Sequence, residues 1–298
     1  MPTTIQFAIH TEGSETPARE LGTCDLRQLH GLACALFEGP DAIVPHDAQS
    51  KPFSVGPIAT RPGGALEWKT SWLSDEFVPP ILGRTVPARL GATPCTLRPL
   101  TVHHQSFGAL VEQRATAAEI AFVSPTYFSR SGDDFLLPDP HLIFGSLERR
   151  WRDTAPAEFD PPEQIGKTIA AAVRVSAVDI CTVRTQTFAG LAVDSWEPLR
   201  ARLRQRRTDS NAPAKTGFVG TISLELTDRG LADWFGALLA FANFSGVGRS
   251  TTHGCGAVIC QLHQRGADRT RTMSLAVPAS ARPWPPRAKA RVAGLALV

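Results

Sequence analysis

Ile5, Phe7 and Ile9 alternate onto one face near the start of the chain, the two-residue period of a half-buried strand over Thr3–Thr11. The period then changes. Leu26, Leu29, Ala33, Leu36 and Phe37 recur at helical spacing, with Asp25 placed to cap the helix and Gly39-Pro40 placed to end it. Extended segments are predicted at Phe53–Thr60, Ala65–Trp72, Cys95–Thr101 and Glu119–Phe128, followed by a short helix over Leu142–Arg152. Three prolines within Asp153–Pro162 disfavour helix and central strand, so this stretch reads as a linker. Beyond it, Ala170–Ile180, Thr182–Phe188 and Phe218–Leu226 read as strands. Leu231, Trp234, Phe235, Leu238, Leu239 and Ala242 mark the clearest helix, and Val258–Leu262 a last strand. Each half is strand, helix and further strands. The pattern predicts an α+β protein of two units, residues 1–152 and 164–277, with a 153–163 linker and an irregular 278–298 tail. Each unit should lay helices on one face of an antiparallel sheet.

Composition narrows the function. At 298 residues with 43% hydrophobic and 20% charged residues, the chain can build ordinary cores. No run approaches the roughly 18 apolar residues of a membrane span, and the first residues lack a signal-peptide pattern. Six cysteines without a CxxC pair suit reduced thiols in a cytoplasm. The net charge of +3 is uneven: residues 1–150 hold 12 Lys/Arg against 16 Asp/Glu, and residues 151–298 hold 19 against 12. Twenty-six of the 31 basic residues are arginine, whose planar fork suits phosphates. A GC-rich genome would explain the arginine excess but not its asymmetry. The basic half points to a polyanionic partner.

Four glycines, Gly246, Gly248, Gly254 and Gly256, fall within eleven residues and enclose Arg249, Ser250, Thr251, Thr252 and His253, all capable of binding phosphate. No Gly-Lys is present for a P-loop. The order helix, glycines, strand is also the reverse of the dinucleotide fold. A structural glycine hairpin stays open on the residues alone. Arg200, Arg202, Arg204, Arg206 and Arg207 form a second basic element, read either as a solvated face or as a phosphate contact. His253, Cys255, Cys260 and His263 match no standard zinc spacing, so no metal and no cofactor are expected.

The segment Ala240–Val258, AFANFSGVGRSTTHGCGAV, resembles the C-terminal glycine-rich motif of the CRISPR repeat-RNA-processing endoribonucleases of the RAMP superfamily. Ser50–Ile58 resembles the KPF-type strand of that family. Phe122–Phe128, Leu137–Pro140 and Phe144–Trp151 resemble its central SPT, LPDP and SLxRRW stretch. Thr185–Thr187 and Gly217–Gly220 sit where its second-domain strands lie. The resemblance implies two tandem ferredoxin-like, RRM-related domains that hold CRISPR repeat RNA along a cleft and on the glycine-rich loop. Gly246 and Gly248 would then let backbone lie against RNA.

It also implies metal-independent cleavage. The upstream 2′-hydroxyl attacks the phosphate, leaving a 2′,3′-cyclic phosphate and a 5′-hydroxyl. Such a reaction needs a base, an acid and a cation. His46, in a polar loop with Lys51 a few residues on, fits the family's catalytic position. His30, on the flank of the first helix, is the second candidate; otherwise it is a core-edge histidine. Tyr127, the sole tyrosine, lies away from that helix. One of His103 and His104 should be exposed and inert, because neighbours on a strand face opposite sides. The alternative is a non-cleaving relative that binds repeat RNA as one subunit of a CRISPR effector complex.

Overall fold

The computed structural model describes residues 1–11, 26–38, 44, 48, 50–60, 64–75, 84–91, 93–184 and 216–264. His46, Asp25, Gly39-Pro40, Thr185–Phe188, the Arg200–Arg207 run and the tail lie outside the described residues.

The first unit starts with β1 (Thr3–Thr11), whose alternation of buried and half-exposed residues matches the sequence pattern. Helix α1 (Leu26–Phe37) buries Leu29, Leu32, Ala33, Leu36 and Phe37. It is followed by β2 (Phe53–Thr60), β3 (Leu66–Trp72), β4 (Val86–Leu90) and β5 (Thr93–His104). The sheet order is β2-β3-β1-β5-β4, antiparallel throughout. Ile5, Phe7 and Ile9 of β1 face Thr70, Trp68 and Leu66 of β3. Phe7 stacks on Trp68 at 6.0 Å, and Phe37 stacks on Phe53 at 5.0 Å, closing helix onto sheet.

The second unit contains the short helix α2 (Phe107–Val111), β6 (Ala117–Thr126), the hairpin β7 (Phe128–Arg130) and β8 (Asp133–Phe135), and α3 (Pro140–Thr154). Then come α4 (Ile165–Ala171), β9 (Val173–Arg184), β10 (Thr216–Leu226), α5 (Ala232–Ser245) and β11 (Val258–His263). Its sheet order is β11-β6-β10-β9. Counting each unit's own strands, both sheets place the fourth strand beside the first, then the third, then the second. That is the order of a ferredoxin-like fold, with β4 added at one edge of the first sheet.

The boundary differs from the expected one. Ile120 and Phe122 of β6, and Ile143, Phe144, Leu147 and Trp151 of α3, pack with β10 and α5. The first core ends at Leu97, and the second draws on residues from Phe107 onward, with Leu73 reaching in from the first unit. The changeover therefore lies near residue 105, and 107–152 belongs to the second unit. The proline-rich 153–163 stretch is an internal loop of that unit. Its single turn Ala157–Phe159 accepts the Trp151 indole N–H on the Phe159 carbonyl at 2.9 Å. Phe159 packs on Phe107 at 6.4 Å. Prolines there mark a rigid surface turn, which the local pattern does not separate from a linker. The Ala170–Ile180 expectation also shifts, because α4 occupies Ile165–Ala171 before β9 begins.

Candidate functional site

The glycine-rich segment links α5 to β11, and its backbone explains its glycines. Gly246, Gly248, Ser250, Gly254 and Gly256 all have positive φ, at 66°, 80°, 55°, 94° and 71°. A Cβ on Gly256 would stand 2.0 Å from the Val247 carbonyl oxygen, and one on Gly248 would stand 2.5 Å from that of Tyr127. Both the dihedral and the space exclude a side chain. The segment is sewn down by Val247 N–H to Gly256 C=O at 2.8 Å and Arg249 N–H to Tyr127 C=O at 3.0 Å. Gly256 N–H donates to Pro125 C=O at 3.0 Å, and Gly248 N–H to Ser146 Oγ at 3.3 Å. The buried Tyr127 adds its hydroxyl to Ser250 Oγ at 2.5 Å.

Gly246 is buried, and its missing side chain makes room for the Gly256 carbonyl rather than for a ligand. Thr251 is buried as well. Both had been expected to touch RNA, and neither faces solvent. The rim that does reach the surface comprises Gly248, Arg249, Ser250, Thr252 and His253. The Arg249 side chain is 52% exposed, and its Nη1 lies 4.0 Å from Asp134 Oδ1, itself exposed. That loose pair is easily exchanged for a phosphate.

The first unit reaches this rim through α1. Gly254 lies against Leu26 and Leu29, where an added Cβ would come within 3.1 Å of Leu29 Cδ1. One helical turn on, His30 Nδ1 is 2.9 Å from the Thr252 carbonyl oxygen. A carbonyl only accepts, so Nδ1 carries the hydrogen and Nε2 holds the lone pair of the neutral ring. Nε2 meets Cys34 Sγ at 3.4 Å. Burial, with Glu38 adding to it, pushes the Cys34 thiol up to about 11, so it stays S–H and is a weak donor. The His30 ring lies face to face on His253, centroids 3.8 Å apart and planes 9° apart. His253 Nδ1 is 3.0 Å from Thr252 Oγ1.

Lys51 has a different role from the one expected. Its ammonium pairs with the Glu38 carboxylate, with side chains only 12% and 3% exposed. The charge is cancelled and turned inward, so Lys51 is not available to a phosphorane. Of the residues expected to be catalytic, His30 stands at the glycine-rich rim and Lys51 is a buried partner of Glu38. His103 and His104 are both exposed, and His103 stacks on Phe244 at 5.6 Å.

Three further contacts hold the units against each other around this site. Ser54 Oγ donates to the Phe244 carbonyl, and Ser50 Oγ to Asp153 Oδ2 at 2.9 Å. Arg150 Nη2 donates to the Phe53 carbonyl at 2.6 Å. Burial pulls the Arg150 guanidinium down to about 10, still a cation at neutral pH. The sequence reading missed Cys34 and the Thr252 carbonyl. Cys34 carried a signal, standing four residues after His30 on one helix face. The carbonyl carried none, since it lies 222 residues away in the chain.

The chain resembles known proteins in both sequence and fold. The family model described as CRISPR-associated endoribonuclease Cas6 matches residues 120–258. A protein of that name from Mycobacterium tuberculosis is 29% identical over 250 residues, covering 78% of this chain and 70% of the relative. A solved Cas6 product complex superposes with a TM-score of 0.64 at 23% identity, over 88% of this chain and 100% of that one. Cas6 of Thermus thermophilus superposes at 0.59 and 24% identity, over 87% and 98%. The tandem fold, the glycine-rich segment that carries the site and these matches agree: over residues 120–258 in sequence, and over most of its length in fold, the chain is similar to the Cas6 family of CRISPR-associated endoribonucleases.

Proposed function

We propose that the chain cleaves CRISPR precursor RNA within its repeats by metal-independent acid–base catalysis, leaving a 2′,3′-cyclic phosphate and a 5′-hydroxyl. One observation carries the reading: an imidazole from the first unit is oriented by the glycine-rich rim of the second. The hydrogen bond from Nδ1 to the Thr252 carbonyl fixes the tautomer and aims Nε2 as the basic atom. Among the described residues only a thiol contact at 3.4 Å occupies that atom, and a 2′-hydroxyl displaces it at small cost. His30 is therefore the base. His46, assigned by resemblance, is a further residue of the first unit that acts in the reaction. Arg249 supplies charge to the RNA backbone, as do the arginines of the 200–207 run, and repeat RNA is the partner. The reaction takes place in the cytoplasm.

The test is labelled repeat RNA incubated with the protein in EDTA. Product ending in cyclic phosphate, with cleavage abolished by a 2′-deoxy substitution at the cut nucleotide, supports the reading. Tight binding of intact RNA supports the non-cleaving alternative. His30→Ala and His46→Ala are each expected to slow single-turnover cleavage by about 10²-fold with nearly unchanged affinity.

A further inference from the structure

The reaction needs a second proton donor or cation at the leaving oxygen, and the residue expected to supply positive charge, Lys51, is neutralised by Glu38 in the interior. The structure supplies another group at the right place. His253 lies parallel on His30 at 3.8 Å, on the half-exposed rim next to Arg249 and Ser250. We propose that His253 is a catalytic residue, the acid that protonates the leaving 5′-oxygen. This rests on the cleavage reading above.

Geometry and charge both favour the pairing. The two imidazoles are held rigidly by different elements: His30 by α1, and His253 by the single turn Thr251–His253 between two positive-φ residues, Ser250 and Gly254. His253 N–H donates to Ser250 C=O at 2.9 Å, and its Nδ1 is 3.0 Å from Thr252 Oγ1. A short, pinned turn of this kind fixes a ring better than a loose loop does. A neutral imidazole also presents its π face to a cationic one stacked on it, which favours a pair that holds one proton between its two rings.

The step balances. His30 Nε2 takes the 2′-hydroxyl proton as O2′ forms its bond to phosphorus. The P–O5′ bond breaks, and O5′ takes the proton from His253. The pair then holds its one proton on His30 and returns it to His253 through solvent, so turnover needs no co-reactant.

A substrate with sulfur in place of the bridging 5′-oxygen decides the matter, because a thiolate leaves without a proton. His253→Ala should cleave natural repeat RNA about 10²-fold more slowly than the parent, with affinity changed less than threefold. It should cleave the 5′-sulfur RNA within a few-fold of the parent rate. His30→Ala should stay slow on both substrates. His253→Phe keeps a stacked ring and should be as slow as His253→Ala on natural RNA, which guards against a folding artefact. The proposal is overturned if His253→Phe cleaves natural RNA normally, if the sulfur substrate does not rescue His253→Ala, or if it rescues His46→Ala instead. If the parent protein binds repeat RNA without cutting it in EDTA, the cleavage reading itself fails, and the acid role fails with it.

Discussion

Lys51 and Glu38 illustrate how a residue's chemistry depends on its surroundings. In the sequence Lys51 follows a polar loop and looks like a cation for a phosphate. In the structure it is a buried counter-ion. Removing one member of such a pair strands the other charge, which costs on the order of 3–5 kcal/mol. Lys51→Met is therefore expected to lower the stability of the protein by about 3 kcal/mol in urea unfolding. Its cleavage rate per folded molecule should stay close to that of the parent. A large rate loss in a fully folded variant would return Lys51 to the reaction. Gly256 gives a second residue-scale prediction. A Cβ there meets a carbonyl oxygen at 2.0 Å and a φ of 71°, so Gly256→Ala should destabilise by about 3 kcal/mol or more. Gly145, with nothing within 4 Å of an added Cβ, is the matched control, and Gly145→Ala should leave the unfolding midpoint unchanged or raise it.

At the scale of elements, α3 couples the two units. Trp151 is fully buried on one side of it and packs edge-on against Phe107 at 5.0 Å and Phe241 at 5.2 Å. From the other side, Arg150 crosses to the Phe53 carbonyl and Ser146 receives the Gly248 N–H. Arg150→Met is expected to cost about 2 kcal/mol by leaving that carbonyl without its charged donor. Differential hydrogen exchange should localise the loss to β2 and the glycine-rich segment, and uniform loss across both cores would contradict it. The same elements show what the sequence made legible. Strands β1, β3 and β10 and helix α1 carry clear periodicity and fall where it places them, while β2 and α5, buried on nearly every side, were legible as apolar runs. Helix α2 and the β7–β8 hairpin are too short to show a period. Strand β6 was visible as a strand, but not as a member of the second sheet, because pairing across nearly a hundred residues leaves no local trace. That is why the domain boundary was placed some fifty residues late.

The molecule as a whole has two ferredoxin-like units, and the site lies where α1 of the first meets the loop before β11 of the second. The glycine-rich segment was legible as a motif, and its resemblance to a known family was legible with it. Its internal logic was not: three of its four glycines are buried, Gly246 and Gly256 making room for the loop's own carbonyls and Gly254 for Leu26 and Leu29 of α1. The histidine stack joins residues 223 positions apart and could not be read from spacing. Arg249 belongs to the long-range electrostatics of the exposed rim. Arg249→Ala should weaken repeat-RNA binding and reduce the slope of log K against log salt by about 1, with single-turnover cleavage at saturating RNA little changed. Affinity titrations at several salt concentrations check this, and an unchanged slope would remove Arg249 from the RNA contact.

The most direct measurement is a single-turnover assay on end-labelled repeat RNA in EDTA, comparing the parent protein with His30→Ala. The parent should cut within the repeat to leave a 2′,3′-cyclic phosphate, while His30→Ala binds equally well and cuts about 10²-fold more slowly. Intact RNA with the parent protein, or equal rates for the two proteins, would contradict an imidazole from one unit working at a rim supplied by the other.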